Sequence, residues 1–138
     1  MKKNEQVNKE ILEQMYRKME EIRQFELTSA ELYQAGELPG FLHPCVGQEA
    51  SEVGVITALN HDDFIATTHR GHGHIITKGA DLKKMMAELF GKRDGICRGH
   101  GWSMHMMDRS LGIIGANGIV GQGNTLATGA ALACQIED

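Results

Sequence analysis

The sequence predicts an α/β chain, rich in helix, folded around one core. Three observations predict it. Apolar residues recur at helical spacing in several separate stretches, one short run has the β-branched character of a strand, and no repeat or low-complexity linker divides the 138 residues. A chain of this length can bury roughly two-thirds of the surface it exposes when unfolded, so one core is feasible.

From about Asn4 to Ala35, Ile11, Met15, Met19, Ile22, Phe25 and Leu32 follow one another in steps that line one stripe of a long helix. The Glu, Lys and Arg residues between them are expected to face water. Gly36 and then Pro39-Gly40 stop the helix. After the loop "ELPGFLHPCVGQEA", the residues Val53, Ile56 and Leu59 mark a second helix. The small residues Ala50, Ser51, Gly54 and Ala58 suit close packing, so this helix is expected to be buried. "NHDDF" reads as a turn and "FIAT" as a strand. Asp81 is placed to cap a third helix, whose apolar face is Leu82, Met85, Met86, Leu89 and Phe90 and which Gly91 ends. Between Gly91 and Asn124 regular patterning fails, with nine glycines in that stretch. A long unpatterned segment within a compact chain is commonly functional. "TLATGAALACQIED" reads as another buried helix.

Eighteen acidic and fourteen basic residues give a formal charge of −4, which argues against nucleic acid or an acidic membrane surface as a partner. No apolar run has the ~18 residues of a spanning helix, and the N-terminus lacks the apolar core of a secretory signal. The expected location is cytoplasmic. Cys45, Cys97 and Cys134 are scattered and odd in number, the pattern of reduced thiols rather than of a disulfide framework. Cys134, within an Ala-rich helical pattern, reads as a small core residue.

The stretch "IATTHRGHGHIITKG" gathers His69, His72 and His74 around Arg70, and three chemistries compete for it. A metal site would draw on these histidines with His100 and His105, but their spacings of two and three lack the i, i+4 helical pairing and no carboxylate lies among them. An anion site is the second reading, since an arginine after a strand followed by glycines offers a guanidinium fork and close backbone N–H groups to phosphate oxygens. The third is a polar turn whose imidazoles bond to backbone, as His61 in "NHDD" would.

Five motifs occur in order: "GFLHPCVGQEA", "THRGHG", "ELFGKRDG", "GHGWSMH" and "GANGIVG". Together they resemble the alpha subunit of thiamine-diphosphate-dependent 2-oxo acid dehydrogenases, a group that includes pyruvate, branched-chain and acetoin dehydrogenase components. The resemblance runs from about Arg17 to the C-terminus. It implies the thiamine-diphosphate-binding α/β fold, with residues 1–138 as its N-terminal portion, helix-rich and holding one or two strands of the parallel sheet. It also implies that Arg70 grips the diphosphate and that His69 stands where a tyrosine is common. Gly118 and Val120 would touch the aminopyrimidine through their backbone. His43 resembles an active-site histidine near the reacting carbon, where an imidazole can hydrogen-bond a substrate oxygen. Gln48 and Glu49 take structural places at a helix start, Ser103 and His105 order the glycine loop, and His72, His74 and His100 are supporting residues. Implied partners are a beta subunit, joined in a heterotetramer, a lipoyl-bearing acyltransferase core and a small-molecule substrate. "GANGIVG" with "ATGAALA" tilts the resemblance towards acetoin and pyruvate dehydrogenases.

Two features depart from the family pattern. The "GDG" motif and later asparagine that bind Mg²⁺ beside the diphosphate do not occur in the 138 residues, so the chain alone is expected to bind the cofactor weakly and to be inactive. Trp102 replaces a glycine, which requires room for an indole and an allowed backbone. An incomplete sheet is expected to leave apolar surface bare, favouring a partner or aggregation. Two alternatives remain: a non-catalytic module that docks on a beta subunit, and a histidine-rich metal-binding domain.

Overall fold

A computed structural model of the protein describes residues 8–137. Helix α1, Lys9–Gln34, starts where the Asn8 side chain accepts the Glu10 N–H at 3.0 Å. The expected residues before Asn8 lie outside the described ones. Its stripe is as predicted in the middle, where Ile22 and Phe25 are buried and Met15, Met19 and Leu32 pack against the core; Ile11 stays exposed. Glu26 breaks the rule for the charged residues, since it is fully buried. Four residues from Ile22, it falls on the inner face.

Helix α2, Glu49–Thr57, buries Val53 and Ile56, but Ala50, Ser51 and Val55 face outward. The helix is therefore half-buried rather than enclosed. Strand β1, Ile65–Thr68, matches "FIAT" apart from its first residue. The turn expected after it is instead a short helix, α3, His72–Thr77, with Ile75 and Ile76 fully buried. Helix α4, Leu82–Leu89, is capped as predicted by Asp81, whose carboxylate accepts the N–H groups of Lys83 and Lys84.

The glycine-rich stretch holds a 3-10 turn at Arg109–Leu111 and a second strand, β2, Ile113–Asn117. β1 and β2 pair in parallel, with Ala66 opposite Gly115 and Thr68 opposite Asn117; the register shifts between Ile65 and Ala66. This two-stranded parallel sheet within a helix-rich chain agrees with the predicted α/β class. Helix α5, Gly123–Glu137, leans on both strands, yet none of its described residues is buried. The expectation of a buried helix fails there, and with it that of a core Cys134, which is exposed. The core instead lies among α1, α2, α3, α4 and one side of the sheet.

Candidate functional site

Because β1 and β2 are parallel and Thr68 pairs with Asn117, the chain leaves the sheet at one end in two places: His69-Arg70 after β1, and the Gly118–Val120 turn after β2. The carboxyl ends of parallel strands are where open α/β sheets bind ligands. Gly71 lets the chain turn back at once into α3, since a Cβ there would lie 2.1 Å from the Thr67 hydroxyl. On the other side the Asn117 carboxamide oxygen accepts the Ile119 N–H at 2.7 Å and closes the turn. Gly118, Ile119 and Val120 are exposed, Val120 to 75%.

Arg70 is half-buried and donates from Nη1 to the Pro44 carbonyl. Among the described residues no carboxylate pairs with it. Pro44 follows His43, whose ring meets His69 edge to face, with centroids 5.2 Å apart and planes at 89°. His43, distant in sequence from His69 and Arg70, thus forms one cluster with them. The Nδ1 atoms of both histidines are buried without a hydrogen-bond partner. Burial lowers the pKa of His43, and nearby His69, Arg70 and His72 lower it further, so its imidazole is neutral at neutral pH. Across the turn, His105 Cε1 lies 3.5 Å from where a Gly118 Cβ would stand.

The loop beside them is ordered by a residue that sequence reasoning passed over. Glu88, fully buried at the end of α4, accepts four backbone N–H groups: Cys97 and Gly99 on one oxygen, Gly101 and Trp102 on the other, at 2.6 to 3.1 Å. A carboxylate thus fills a nest of amides that would otherwise be orphaned. Within this loop Arg98 and Trp102 have positive φ, 58° and 48°. Trp102 is held there by its indole N–H, which donates to the Gly99 carbonyl at 2.7 Å, and its ring covers Gly40. Its backbone is strained, and the ring has work in closing the loop over Gly40.

Glu26, His72 and Ser103 form a second group that the sequence did not single out as a unit: His72 Nδ1 lies 2.8 Å from Glu26, and His72 Nε2 lies 3.2 Å from the Ser103 hydroxyl. The available signal was the place of Glu26 on the inner face of α1. His74 stands 3.3 Å from the buried Glu52. His100 and His105, with Cys97 and Arg98, line a separate cleft of about 420 Å³. Among the described residues no three His, Cys, Asp or Glu side chains gather so as to hold a metal ion. No described helix is long and apolar enough to cross a membrane. A cleft of about 750 Å³ along α1 and α2 includes none of the candidate residues.

The cluster's chemistry suits an anion. A guanidinium with no carboxylate partner, two ring nitrogens without partners and a glycine turn with accessible backbone stand at one end of the sheet. Nothing in it resembles the oxygen-rich cage that a hard divalent cation takes.

The dehydrogenase E1 component family matches residues 17–138. The alpha subunit of acetoin:2,6-dichlorophenolindophenol oxidoreductase from Bacillus subtilis (strain 168) is 58% identical over 118 residues, 86% of this chain and 35% of that protein. The subunit of the same name from Cupriavidus necator is 50% identical over 129 residues, 94% of this chain and 39% of its own length. Pyruvate dehydrogenase E1 component subunit alpha-3, chloroplastic, from Oryza sativa subsp. japonica is 41% identical over 129 residues, 94% of this chain and 30% of that protein. The chain thus spans between 30% and 39% of the length of these relatives.

Proposed function

The chain belongs to the dehydrogenase E1 component family, and from that premise we propose that it is alpha-subunit sequence of a thiamine-diphosphate-dependent dehydrogenase that acts on acetoin or a 2-oxo acid. Such an enzyme passes the acyl group to a lipoyl carrier and works with a beta subunit. One observation carries the reading: Arg70 and the Gly118 turn leave the same end of two paired parallel strands, with His43 and His69 beside Arg70. The preference for acetoin or pyruvate rests on the names of the similar proteins.

In this reading Arg70 takes the diphosphate in its guanidinium fork, with the His69 ring beside it. The hydrogen bond to Pro44 leaves the other guanidinium N–H groups for phosphate oxygens. The exposed backbone at Gly118 and Val120 meets the aminopyrimidine. When bound, thiamine diphosphate supplies a carbanion at its thiazolium carbon and an electron sink for breaking a carbon–carbon bond. Neutral His43 is suited to hydrogen-bond a substrate carbonyl or carboxylate oxygen. Magnesium ligands are not supplied by this cluster, so the cation would rest on groups beyond it, and the 138 residues alone bind the cofactor weakly.

The test is calorimetry with thiamine diphosphate and magnesium on the alpha–beta assembly that carries this sequence. Arg70→Lys loses the planar fork and should weaken binding about tenfold or more. Equal affinity in the variant rejects the diphosphate role. Saturable micromolar binding by the 138-residue chain alone rejects the claim that its own groups are insufficient.

A further inference from the structure

The segment that carries His43 is tied to buried groups that none of the chemistry above uses. The His43 N–H donates to the Ser103 hydroxyl at 3.1 Å. That hydroxyl lies 3.2 Å from His72 Nε2, and His72 Nδ1 lies 2.8 Å from Glu26 Oε1. The same Glu26 oxygen accepts the Cys45 N–H at 3.2 Å and the Cys45 thiol at 3.0 Å. The path leaves His43 through Ser103, crosses α3 at His72, reaches α1 at Glu26 and returns to the same loop at Cys45. Glu26 and His72 are fully buried, Ser103 almost so.

The protonation pattern follows from the partners. Burial opposes the charge on Glu26, but the hydrogen bond and charge of His72 and the two bonds from Cys45 outweigh it and hold the pKa below the usual value. Glu26 faces His72 Nδ1, and Nε2 lies 3.1 Å from the Ser103 carbonyl oxygen and 3.2 Å from its hydroxyl, so the imidazole is held at both nitrogens between α1 and the Ser103 loop. The Ser103 hydroxyl oxygen also receives the His43 N–H. Burial and the adjacent Glu26 push the Cys45 thiol far above its ordinary range, so it remains a proton donor. The two ends of the path converge on the backbone of His43 and Cys45.

We propose that Glu26, His72 and Ser103 are positioning residues that fix the His43 loop against His69 and Arg70. The proposal deepens the reading of His43 as the substrate-facing imidazole and rests on it for its functional meaning. Its geometry can be tested separately. The ring's environment is set by how deeply the loop seats it beside His69, Arg70 and His72, and only a loop held at its backbone keeps that depth.

The experiment is a pH titration by NMR of the full chain labelled with ¹⁵N-histidine, with the His43 signals identified by His43→Asn. Wild-type His43 should titrate below the ordinary histidine range. Ser103→Ala should raise the midpoint by about half a unit or more as the loop loosens and the ring gains water, and Ser103→Thr, which keeps the hydroxyl, should restore it. An unchanged midpoint in a folded Ser103→Ala chain overturns the proposal. A second reading needs no variant: the His43 backbone N–H, whose acceptor is the Ser103 hydroxyl, should be protected from hydrogen exchange, and exchange at the free rate overturns the proposal as well. Inorganic pyrophosphate added to the same sample reports on the cofactor assignment independently. Shifts at His69 support that assignment, and their absence at millimolar probe removes it while leaving the His43 result in place.

Discussion

Two segments border the proposed crevice, and they are held in different ways. From His43 to Gly47 the backbone is bound at His43 by Ser103, at Pro44 by Arg70, at Cys45 by Glu26 and at Gly47 by Glu49. These are ties to side chains, and three of the four come from more than eighteen residues away. The Asn117–Gly121 turn is bound by Asn117 within itself and continues into α5, whose described residues all keep access to solvent. The first segment is shaped by this chain's own core. The second presents backbone and apolar side chains, Ile119 and Val120, outward. A rigid wall therefore faces an open one, and the His43 imidazole proposed to face the substrate sits on the rigid side, where small errors of position matter most.

The strongest way to break the rigid wall is at Glu88, which holds the loop from which Ser103 reaches His43. Glu88→Ala removes one acceptor group from four backbone N–H donors. Left unpaired in a buried place, they should cost about 3–5 kcal/mol of folding stability. Urea denaturation measures it. A loss below about 1 kcal/mol would mean that water enters and replaces the carboxylate, and that the loop needs no internal anchor.

That contrast also explains what could be read from the residues alone. The long helix, the Asp81 cap and the strand at Ile65–Thr68 were legible because their signals are local: spacing, a capping side chain, a β-branched run. His43, Arg70 and Gly118 were named through the order of motifs, and their grouping depends on a parallel pairing that no local signal specifies. β2 was hidden because glycines at 112, 115 and 118 erase the alternation that marks a strand. α3 was hidden because "HGHIIT" opens with glycine and histidine and has only six residues, too few to show a period. α5 was placed inside because an Ala-rich apolar helix suits a core; its exposure is a property of what surrounds it, which helix periodicity does not report. The buried roles of Glu26 and Glu88 follow from partners contributed by distant segments, and a charge read singly always points to water.

A smaller effect sharpens the comparison at the fourth tie. Glu49 is nearly buried at the start of α2 and bonds Arg23 at 2.5 Å and the Gly47 N–H at 3.0 and 3.1 Å. The hydrogen bond from Arg23 leads in lowering its pKa to about 2, against the cost of burial and with help from the Glu49 and Gly47 amides. A carboxyl depressed in the folded state gives stability that is complete above its unfolded value, 4.5, and that drains away as pH falls towards 2. Arg23 is partly in water, which screens the pair, so the expected loss is about 1–2 kcal/mol. Denaturation midpoints of wild type and Glu49→Gln, measured between pH 6 and the acid end of that window, should converge as pH falls. Parallel curves would mean that Glu49 is not shifted and that Gly47 is held by geometry alone.

The open wall calls for the opposite expectation. Ile136 is 74% exposed near the end of α5, and Leu132 is 57% exposed one turn earlier. Because neither side chain leaves water when this chain folds, replacing Ile136 with Ser removes almost no buried area and should change folding stability by less than about 0.5 kcal/mol. Solubility should respond instead. Contiguous apolar side chains on a helix face promote association, so light scattering at rising concentration should fall in Ile136→Ser relative to wild type. The two readouts separate two kinds of apolar residue. A stability loss of 2 kcal/mol or more, the order expected for emptying a core site, would show that α5 packs inward in solution, and the division into a rigid and an open wall would have to be withdrawn.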